Sequence, residues 1–333
     1  MELNKIYNED CLEGMKLIDE NSIDLIVIDP PYNIGKAEWD KIDNYIEWMG
    51  KVFLECQRTL KDNGSFYFWH NDFEQMAELQ RWVKQNTEFK FKSFNIWDKG
   101  DFRALSWKNP TDDNNLRSWF QTTEYCLFYT LQDDAGINTT KIKNNNFTVL
   151  RNYFKKLQEY IGLSLSDINK ALVHRKAEHC FYWKSTQWDL PTEQTYQELI
   201  KEFDIDKYNN FKNYIWLDLK YKKLRYTHNL DKNHNNVWKS NYRNNGERHP
   251  TEKPIDIIKR IIKTSSNEGG TILDCFMGSG TTAVACLLTN RNFIGFELEE
   301  KYYNIALKRI GKLDKSYYDE LPEEEKPKQG QLF

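Results

Sequence analysis

Residues 22–32 read SIDLIVIDPPY, a run of apolar and β-branched residues that stops at two prolines. Such a run predicts a short buried strand over Ser22–Ile28, which the prolines end. Strands and helices then alternate along the chain, a rhythm typical of a parallel, doubly wound sheet. The predicted helices are Asp40–Leu60 and Glu74–Lys84, and the predicted strands are Ser65–Trp69, Phe89–Trp97 and Glu124–Tyr129.

The same alternation returns near the C-terminus. Helices are predicted there over Pro254–Lys263, Thr281–Leu288 and Glu300–Ile310, and strands over Thr271–Asp274 and Asn292–Glu297. Residues 136–248, between the two blocks, lack this rhythm and are rich in Asn, Lys, Tyr and Trp. We therefore expect one α/β domain split into residues 1–135 and 249–311, an insert over 136–248, and a mobile charged tail over 312–333.

Composition excludes several classes of protein. The 333 residues have a mean hydropathy of -0.80 and no apolar run long enough for a transmembrane helix. The N-terminal segment, MELNK, does not have the layout of a secretory signal. The six cysteines are scattered without a C-x-x-C pair, which argues against a disulfide framework or a structural zinc site. A reducing cytoplasm is the expected compartment.

The overall charge conceals a strong asymmetry. The chain has a formal net charge of -3, which by itself argues against a nucleic-acid partner. Residues 136–248, however, hold 20 basic and 12 acidic residues, so this block carries +8 and the remainder -11. Basic charge with interleaved aromatic rings is what a surface that contacts phosphates and bases needs, although a solvated basic surface has the same composition.

The DPPY segment, residues 29–32, lies directly after the predicted strand, at the edge where open α/β sheets bind ligands. Two prolines fix the backbone and direct a carbonyl outward, Asp29 adds a carboxylate, and Tyr32 offers a stacking face. An exocyclic amine there could donate one hydrogen to Asp29 and one to the Pro30 carbonyl, which would localise its lone pair for attack. The alternative is a stiff turn with a packed tyrosine.

A second segment, DCFMGSGTT at residues 274–282, again joins a predicted strand to a predicted helix through small residues. Small residues allow a backbone to approach a ligand closely. The segment lacks G-x-G-x-x-G and also the ending of a phosphate loop, so dinucleotides, ATP and GTP are poor ligands for it. Glu297, about 20 residues later at the end of the next strand, is placed to accept hydrogen bonds from ribose hydroxyls. The alternative is an ordinary glycine turn before a helix.

Together these segments resemble the S-adenosylmethionine-dependent amino-group DNA methyltransferases. The order, with DPPY first, the cofactor loop last and a variable block between, is similar to the β class of that family. Two further segments match: YNEDCL at residues 7–12 is similar to the part that contacts the cofactor adenine, and HPTEKP at residues 249–254 is similar to the part that precedes the cofactor loop. The resemblance implies a Rossmann-like doubly wound sheet with circularly permuted motif order and an inserted, mostly helical target-recognition domain.

The resemblance also implies an activity and a set of site residues. A methyl group would pass from S-adenosylmethionine to the amine of a base flipped out of the duplex, without a metal. Asp29, Pro30, Pro31 and Tyr32 would be catalytic, with Tyr32 stacked on the base. The DPPY form goes most often with adenine N6, and cytosine N4 is the alternative. The cofactor-binding residues would be Asp10, Cys11, Thr251, Lys253, Asp274, Phe276, Gly278, Ser279, Gly280, Thr281 and Glu297.

Within the insert, the sequence favours a helix-turn-helix-like unit with a first helix over Ser166–Leu172 and a recognition helix over Lys176–Lys184. Its predicted DNA contacts are Arg175, Lys176, His179 and Lys184, and a plain pair of surface helices is the alternative. His174 and His179 are five residues apart, which is off the spacing of paired zinc ligands on a helix, so we reject a metal site there. A further helix is predicted over Glu193–Phe203.

Partners and other classes of function remain open in the sequence. The last five residues, Gln329–Phe333, resemble the peptide with which bacterial DNA enzymes dock on the replication sliding clamp, and a frayed tail is the alternative. The family resemblance implies double-stranded DNA as substrate, the cytoplasm of a bacterial or phage-infected cell, and a homodimer. A protein glutamine methyltransferase and a non-catalytic DNA-binding regulator are the competing functions, and the sequence holds no nuclease motif.

Overall fold

The structure is a computed structural model that describes residues 1–35, 40–100, 122–131, 147–185, 187–224, 228, 235–240, 252–314 and 316–317. The described residues form two compact units, one within 1–131 and 227–333 and the other within 132–226. Among the described helices, none is long and apolar enough to cross a membrane. Thr251 and the tail peptide Gln329–Phe333 lie outside the described residues.

The first unit is built on one eight-stranded sheet. Its strands are β1 (Lys5–Tyr7), β2 (Ile23–Ile28), β3 (Leu60–His70), β4 (Lys90–Asp98), β5 (Thr123–Thr130), β6 (Val237–Lys239), β7 (Thr271–Asp274) and β8 (Asn292–Phe296). They lie side by side in the order β1-β8-β7-β2-β3-β5-β4-β6. β1, β8, β7, β2 and β3 are parallel neighbours, as a doubly wound sheet requires. The predicted α/β class and Rossmann-like sheet are confirmed.

The predicted parallel direction does not hold for β5, which runs antiparallel to both β3 and β4. Two parallel neighbours need a crossover connection, usually a helix, whereas antiparallel neighbours do not. No helix is predicted between Trp97 and Glu124, so the sequence rhythm already breaks at this point. β5 brings Glu124 to the same edge of the sheet at which β2 and β3 end.

The helices of the first unit lie close to their predicted bounds, apart from α1, which was not predicted. They are α1 (Cys11–Met15), α2 (Tyr45–Thr59), α3 (Phe73–Asn86), α8 (Ile255–Ser265), α9 (Thr281–Leu287) and α10 (Glu300–Gly311). α2 begins five residues later than predicted, and Asp40 lies before it, where its carboxylate accepts hydrogen bonds from the backbone N–H groups of Asn33 and Ile34. Asn44, just before the helix, has a left-handed φ of 51°.

α2 is fixed against the sheet by aromatic packing. Phe53 of α2 and Phe66 and Phe68 of β3 are fully buried, and the ring of Phe53 lies 5.8 and 5.1 Å from the other two. Each such ring removes a large apolar area from water, so these contacts hold the helix firmly on the strand. Tyr45, at the start of α2, is thereby held beside the end of β3.

The second unit is helical over its described residues. It contains α4 (Thr148–Ile161), α5 (Leu165–Ala171), α6 (Glu193–Phe203) and α7 (Tyr214–Leu224), with 3-10 helices at Glu178–Phe181 and Ile205–Lys207. Its own core includes Leu150, Phe154, Ile168, Tyr196 and Leu199. Ser164 and Thr192 cap α5 and α6 by accepting hydrogen bonds from backbone N–H groups. The predicted helix Glu193–Phe203 is confirmed.

The predicted recognition helix over Lys176–Lys184 is wrong, since only one 3-10 turn forms there, at Glu178–Phe181. The backbone bonds span three residues, as from Glu178 N–H to the Arg175 carbonyl at 3.2 Å. Ala177, Cys180 and Phe181 are buried in the unit's core, so packing fixes a compact turn instead of an amphipathic helix. The first helix, α5, lies within one residue of its predicted bounds.

The C-terminal part of the predicted insert also differs. β6 lies inside residues 136–248, yet it pairs in parallel with β4 and extends the sheet of the first unit. The ring of Trp238 is buried there, 5.8 Å from that of Trp69. The chain therefore returns to the α/β unit at about residue 227, earlier than predicted.

Candidate active site

A cavity of about 330 Å³ opens where β2, β7 and β8 end, at the carboxyl edge of the sheet. Most of the sequence-predicted site residues line it: Asp10, Cys11, Asp29, Pro30, Pro31, Tyr32, Lys253, Asp274, Phe276, Gly278, Ser279, Thr281 and Glu297. The sequence did not single out Asp40, Trp48, Trp69, Glu252 or Tyr302, which line it as well. The two motifs, about 240 residues apart in the chain, thus share one cavity.

Asp29 follows β2 directly and is engaged through both carboxylate oxygens. Its Oδ1 accepts a hydrogen bond from the Tyr32 hydroxyl at 2.6 Å, and its Oδ2 accepts one from the Lys253 ammonium at 2.5 Å. Burial raises the pKa of Asp29 above its ordinary value, and the attraction of Lys253 only partly offsets this. Asp29 is therefore a desolvated carboxylate whose oxygens both point at hydrogen-bond donors.

Tyr32 is buried, with 4% of its surface exposed. Its ring centre lies 4.8 Å from that of His70 and 5.3 Å from the Lys253 ammonium. Its hydroxyl takes the position at Asp29 Oδ1 that an incoming amine would need. A ligand amine can reach that oxygen only if the tyrosine hydroxyl gives up this bond.

Tyr45 and His70 form a buried chain of hydrogen bonds behind the DPPY segment. Nδ1 of His70 lies 3.1 Å from the backbone nitrogen of Asp72 and 3.0 Å from the carbonyl oxygen of the same residue. We assign the ring proton to Nε2 because the Tyr45 hydroxyl donates its own proton to Pro31 and can only accept one from His70. Nε2 then donates to the Tyr45 hydroxyl at 3.1 Å, which donates in turn to the Pro31 carbonyl at 2.8 Å. Burial lowers the pKa of His70 to about 4, so the ring is neutral. The hydrogen bonds therefore all run in one direction, from His70 through Tyr45 to Pro31.

Lys253 joins two buried carboxylates. Its ammonium lies 2.5 Å from Asp29 and 3.1 Å from Oε2 of Glu124, and Glu124 also bonds Lys99. Burial works to lower the pKa of Lys253, but the two carboxylates outweigh it and the pKa lies above its ordinary value. The sequence predicted Lys253 at this site, whereas nothing in the local sequence singled out Glu124.

The loop after β7 has the backbone freedom that its glycines suggested. Gly278 and Gly280 have positive φ values of 54° and 82°, and a Cβ on Gly280 would lie 2.9 Å from Cβ of Ala306. Asp274 ends β7 and accepts a hydrogen bond from the Phe276 N–H at 3.0 Å. Burial raises the pKa of Asp274 to about 7. Gly280 lies behind the loop, against α10.

Glu297 follows β8 and reaches back to the same loop. Its Oε2 accepts a hydrogen bond from the Gly278 N–H at 2.7 Å, and its Oε1 accepts one from the Glu299 N–H at 2.8 Å. Burial raises the pKa of Glu297. The carboxylate is thus held at the cavity wall by two backbone groups.

Asp10 caps α1 by accepting the Leu12 N–H at 2.7 Å, and it lines the cavity beside Cys11. Cys11 is buried, and burial raises the pKa of its thiol. A buried thiol of this kind is an unreactive packing group. The adenine-binding segment predicted from residues 7–12 therefore lies at the cavity.

The predicted DNA contacts, Arg175, Lys176, His179 and Lys184, are exposed on the second unit. Arg175 donates to Glu178 at 2.7 Å, and the Lys184 ammonium lies 5.1 Å from the ring centre of Trp183. His174 pairs with Glu198 at 2.7 Å. In the described part of the chain, no group of three or more His, Cys, Asp or Glu side chains is arranged to hold a metal.

The N6/N4 methyltransferase family of DNA methylases matches residues 23–308. This chain belongs to that family. The predicted resemblance to amino-group DNA methyltransferases is thereby confirmed, since the match spans both motifs and the block between them.

Individual relatives agree with the family. The type II methyltransferase M1.MboII of Moraxella bovis is 27% identical over 309 residues, which cover 92% of this chain and 96% of that protein. The DNA adenine methyltransferase YhdJ of Escherichia coli K12 is 27% identical over 336 residues, covering 99% and 90%. Among solved structures, the cytosine-N4-specific PvuII DNA methyltransferase has a TM-score of 0.52 at 14% identity, covers 92% and 85% of the two chains, and supports the fold of this DNA methylase.

Proposed function

We propose that this DNA methylase transfers a methyl group from S-adenosylmethionine to the N6 amine of an adenine flipped out of duplex DNA. The observation that carries the proposal is the single cavity shared by Asp29 and the Asp274–Thr282 loop. A base-amine site and a cofactor site must meet in this way for direct transfer. The relative from Escherichia coli, named as a DNA adenine methyltransferase, supports the choice of adenine.

The residues at the cavity fit S-adenosylmethionine. Carboxylates at its wall suit a cationic cofactor with ribose hydroxyls, and the left-handed Gly278 lets the loop backbone approach it. Asp10 and Cys11 would contact the adenine, Glu297 the ribose, and Asp274 with residues 276–281 the methionine part. Thr251 and Lys253 would lie near the methionine carboxylate. The ammonium of Lys253 already donates to Asp29, so it would contact Asp29 and the methionine carboxylate from one position.

When bound, the cofactor supplies an electrophilic methyl group, whose carbon–sulfur bond breaks as the amine nitrogen forms the new carbon–nitrogen bond. Asp29 and the Pro30 carbonyl each accept one amine hydrogen, which localises the nitrogen lone pair. The Tyr32 hydroxyl gives up Asp29 Oδ1 to the amine, and its ring stacks on the flipped base. The nitrogen gains positive charge and loses one proton, for which the desolvated Asp29 carboxylate is the adjacent acceptor.

Cytosine N4 is the alternative target because the same family contains cytosine-N4 enzymes, such as the PvuII methyltransferase. The experiment is transfer of tritiated methyl groups to DNA by the wild type and by Asp29→Ala, followed by nucleoside analysis of the product. We expect labelled N6-methyladenine from the wild type and none from the variant. Labelled N4-methylcytosine would show that the target base is cytosine instead of adenine. An absence of labelled DNA with the wild type would reject the proposal.

We further propose that the second unit contacts the DNA through Arg175, Lys176, His179 and Lys184. Residues 132–226 hold 16 basic and 12 acidic residues, a net charge of +4, and all four side chains are exposed, which supports this. Without a recognition helix, these residues would act from a loop and a 3-10 turn. Replacing Lys176 and Lys184 by Gln should weaken DNA binding and flatten its salt dependence, whereas an unchanged salt slope would contradict the assignment.

Two assemblies are proposed on the sequence resemblance alone, for an enzyme working in the cytoplasm of a bacterial or phage-infected cell. Deletion of Gln329–Phe333 should abolish binding to a bacterial sliding clamp in a pull-down, and unchanged binding would reject that partner. Sedimentation of the full chain at several concentrations should show a homodimer. A single monomeric species at every concentration would reject it.

A further inference from the structure

Four buried or partly buried side chains of alternating charge form a row at the edge of the sheet: Lys99, Glu124, Lys253 and Asp29. Four different parts of the chain supply it, and Asp29 follows β2. Lys99 follows β4, Glu124 lies on β5, and Lys253 precedes α8. The side chains of Lys253 and Glu124 are only 4% and 6% exposed, and that of Lys99 is 10% exposed. Asp29, at the cavity end of the row, is 22% exposed.

The strand ladder fixes the position of Glu124. It pairs in register with Trp97 of β4, so its side chain leaves the sheet at a rigid point. Buried charges are costly unless each one is paired, which explains why a second lysine, Lys99, stands behind Glu124. The row is therefore a rigid support that ends on the DPPY carboxylate.

We propose that Glu124 is a positioning residue for Asp29, because it holds the Lys253 ammonium against Oδ2 of Asp29 and leaves Oδ1 as the oxygen that receives the target amine. This inference rests on the proposed methyl transfer to a base amine. In it, Lys99 holds Glu124, Glu124 holds Lys253, and Lys253 sets the ionisation and orientation of Asp29. Only Asp29 contacts the reacting amine.

The charged groups of the row shift the pKa of Asp29 in opposite directions. Burial raises the pKa of Asp29, Lys253 lowers it, Glu124 raises it, and the Tyr32 hydroxyl lowers it. The pKa of Glu124 stays below its ordinary value because the two lysines outweigh its burial. Other titratable groups whose pKa values include an effect of the Asp29 charge are Tyr45, Cys126 and Asp274. Two variants of the row therefore have predictable and opposite effects.

Methyl transfer needs ionised Asp29, so the rate falls as the pH drops through its pKa. Glu124→Gln removes a negative charge from beside Lys253 while keeping the shape of the side chain. The acidic limb of the kcat profile should then move to lower pH by about 1 unit. Lys253→Met removes the positive charge, and the same limb should move to higher pH by about 1 unit or more.

The experiment measures kcat against pH with saturating DNA and cofactor, using the full-length chain and tritiated methyl transfer. Glu55→Gln is the matched control, since Glu55 is partly buried and pairs with Arg58 at 2.8 Å on α2. Its acidic limb should coincide with that of the wild type. A purely structural role for Glu124 would lower kcat at every pH without displacing the limb.

Lys99→Met is a third variant, and it decides the matter if circular dichroism shows that Glu124→Gln does not fold. Without Lys99, the charge of Glu124 acts more fully on Lys253, so the limb should move slightly to higher pH. Limbs that stay in place, or that move in one direction in all variants, would overturn the inference. Such a result with active wild type leaves the proposed function standing, whereas a wild type that labels no DNA overturns the proposed function itself.

Discussion

Arg309 of α10 lies with its Nη2 2.7 Å from Oε1 of Glu252, and this ion pair ties α10 to the segment that precedes α8. The Glu252 side chain is 2% exposed and that of Arg309 is 13% exposed. Nη1 of Arg309 also donates to the carbonyl and hydroxyl of Ser279, at 2.7 and 2.8 Å. One guanidinium thus holds both the cofactor loop and the HPTEKP segment.

Arg309→Met should destabilise the protein and loosen the cofactor loop. Removing one partner of a buried ion pair leaves the other charge poorly compensated, which costs about 3–5 kcal/mol. We expect a loss of that size in urea unfolding and a weaker affinity for S-adenosylmethionine in calorimetry. In the double variant with Glu252→Gln the loss should be smaller than the sum of the single losses. Strict additivity would show that the two side chains do not depend on each other.

Gly280→Ala should be more harmful than Gly162→Ala, although both glycines have a positive φ. Gly162 ends α4 with φ 71°, and no atom of the described residues lies within 4 Å of the position that a Cβ would take there. Its substitution therefore carries backbone strain alone, about 1 kcal/mol. Gly280 has φ 82°, and its added methyl group would also meet Ala306 at 2.9 Å. The difference in unfolding free energy between the two variants measures the contact with α10, and equal losses would show that α10 shifts freely.

Elements whose signal is local were predictable from the sequence. β7 has its predicted bounds, and the DPPY and DCFMGSGTT segments follow β2 and β7 as their prolines and glycines indicated. The chain turns at these residues because of their own backbone preferences. No distant partner is needed to determine them, so a single sequence was enough to bring both motifs to one edge of the sheet.

Residues whose roles depend on distant partners were missed. Arg309 acts on Glu252 and Ser279, Glu124 acts on Lys253, and His70 acts through Tyr45, all far apart in the sequence. Each is an ordinary polar residue in its own segment, and only the sheet order brings it to the cavity. The prediction of a recognition helix was wrong for a related reason. Cys180 and Phe181 pack into the core of the second unit from a 3-10 turn.

Tyr32→Phe should keep most of the turnover, whereas Tyr32→Ala should lower it by about 5- to 150-fold. In our proposal the hydroxyl leaves Asp29 when the amine binds, so its loss matters little, while stacking of a base on the ring contributes about 1–3 kcal/mol. Steady-state kinetics of methyl transfer separate the two variants. Tyr129→Phe is the control, since Tyr129 is a core tyrosine outside the cavity wall. Equal losses for Phe and Ala would mean that the hydroxyl, and not the ring, acts on the base.

His70 should make the folded protein sensitive to acid. Its pKa is 6.5 in the unfolded chain and about 4 in the buried site, so between these values the unfolded state binds more protons. The free energy of unfolding therefore falls as the pH drops from 6.5 to about 4, by about 3 kcal/mol from this group. His70→Gln removes that contribution and keeps an amide that can bond Tyr45.

Urea unfolding of the wild type and His70→Gln at a series of pH values isolates the effect, because the buried carboxyl groups such as Asp274 are common to both. The wild type should lose its advantage over the variant as the pH falls, and most of the change should come between 6.5 and 4. His179→Gln reports the effect of removing an exposed imidazole in the second unit. Parallel curves for the wild type and His70→Gln would show that His70 accepts a proton in place, and that the hydrogen-bond chain to Pro31 survives in acid.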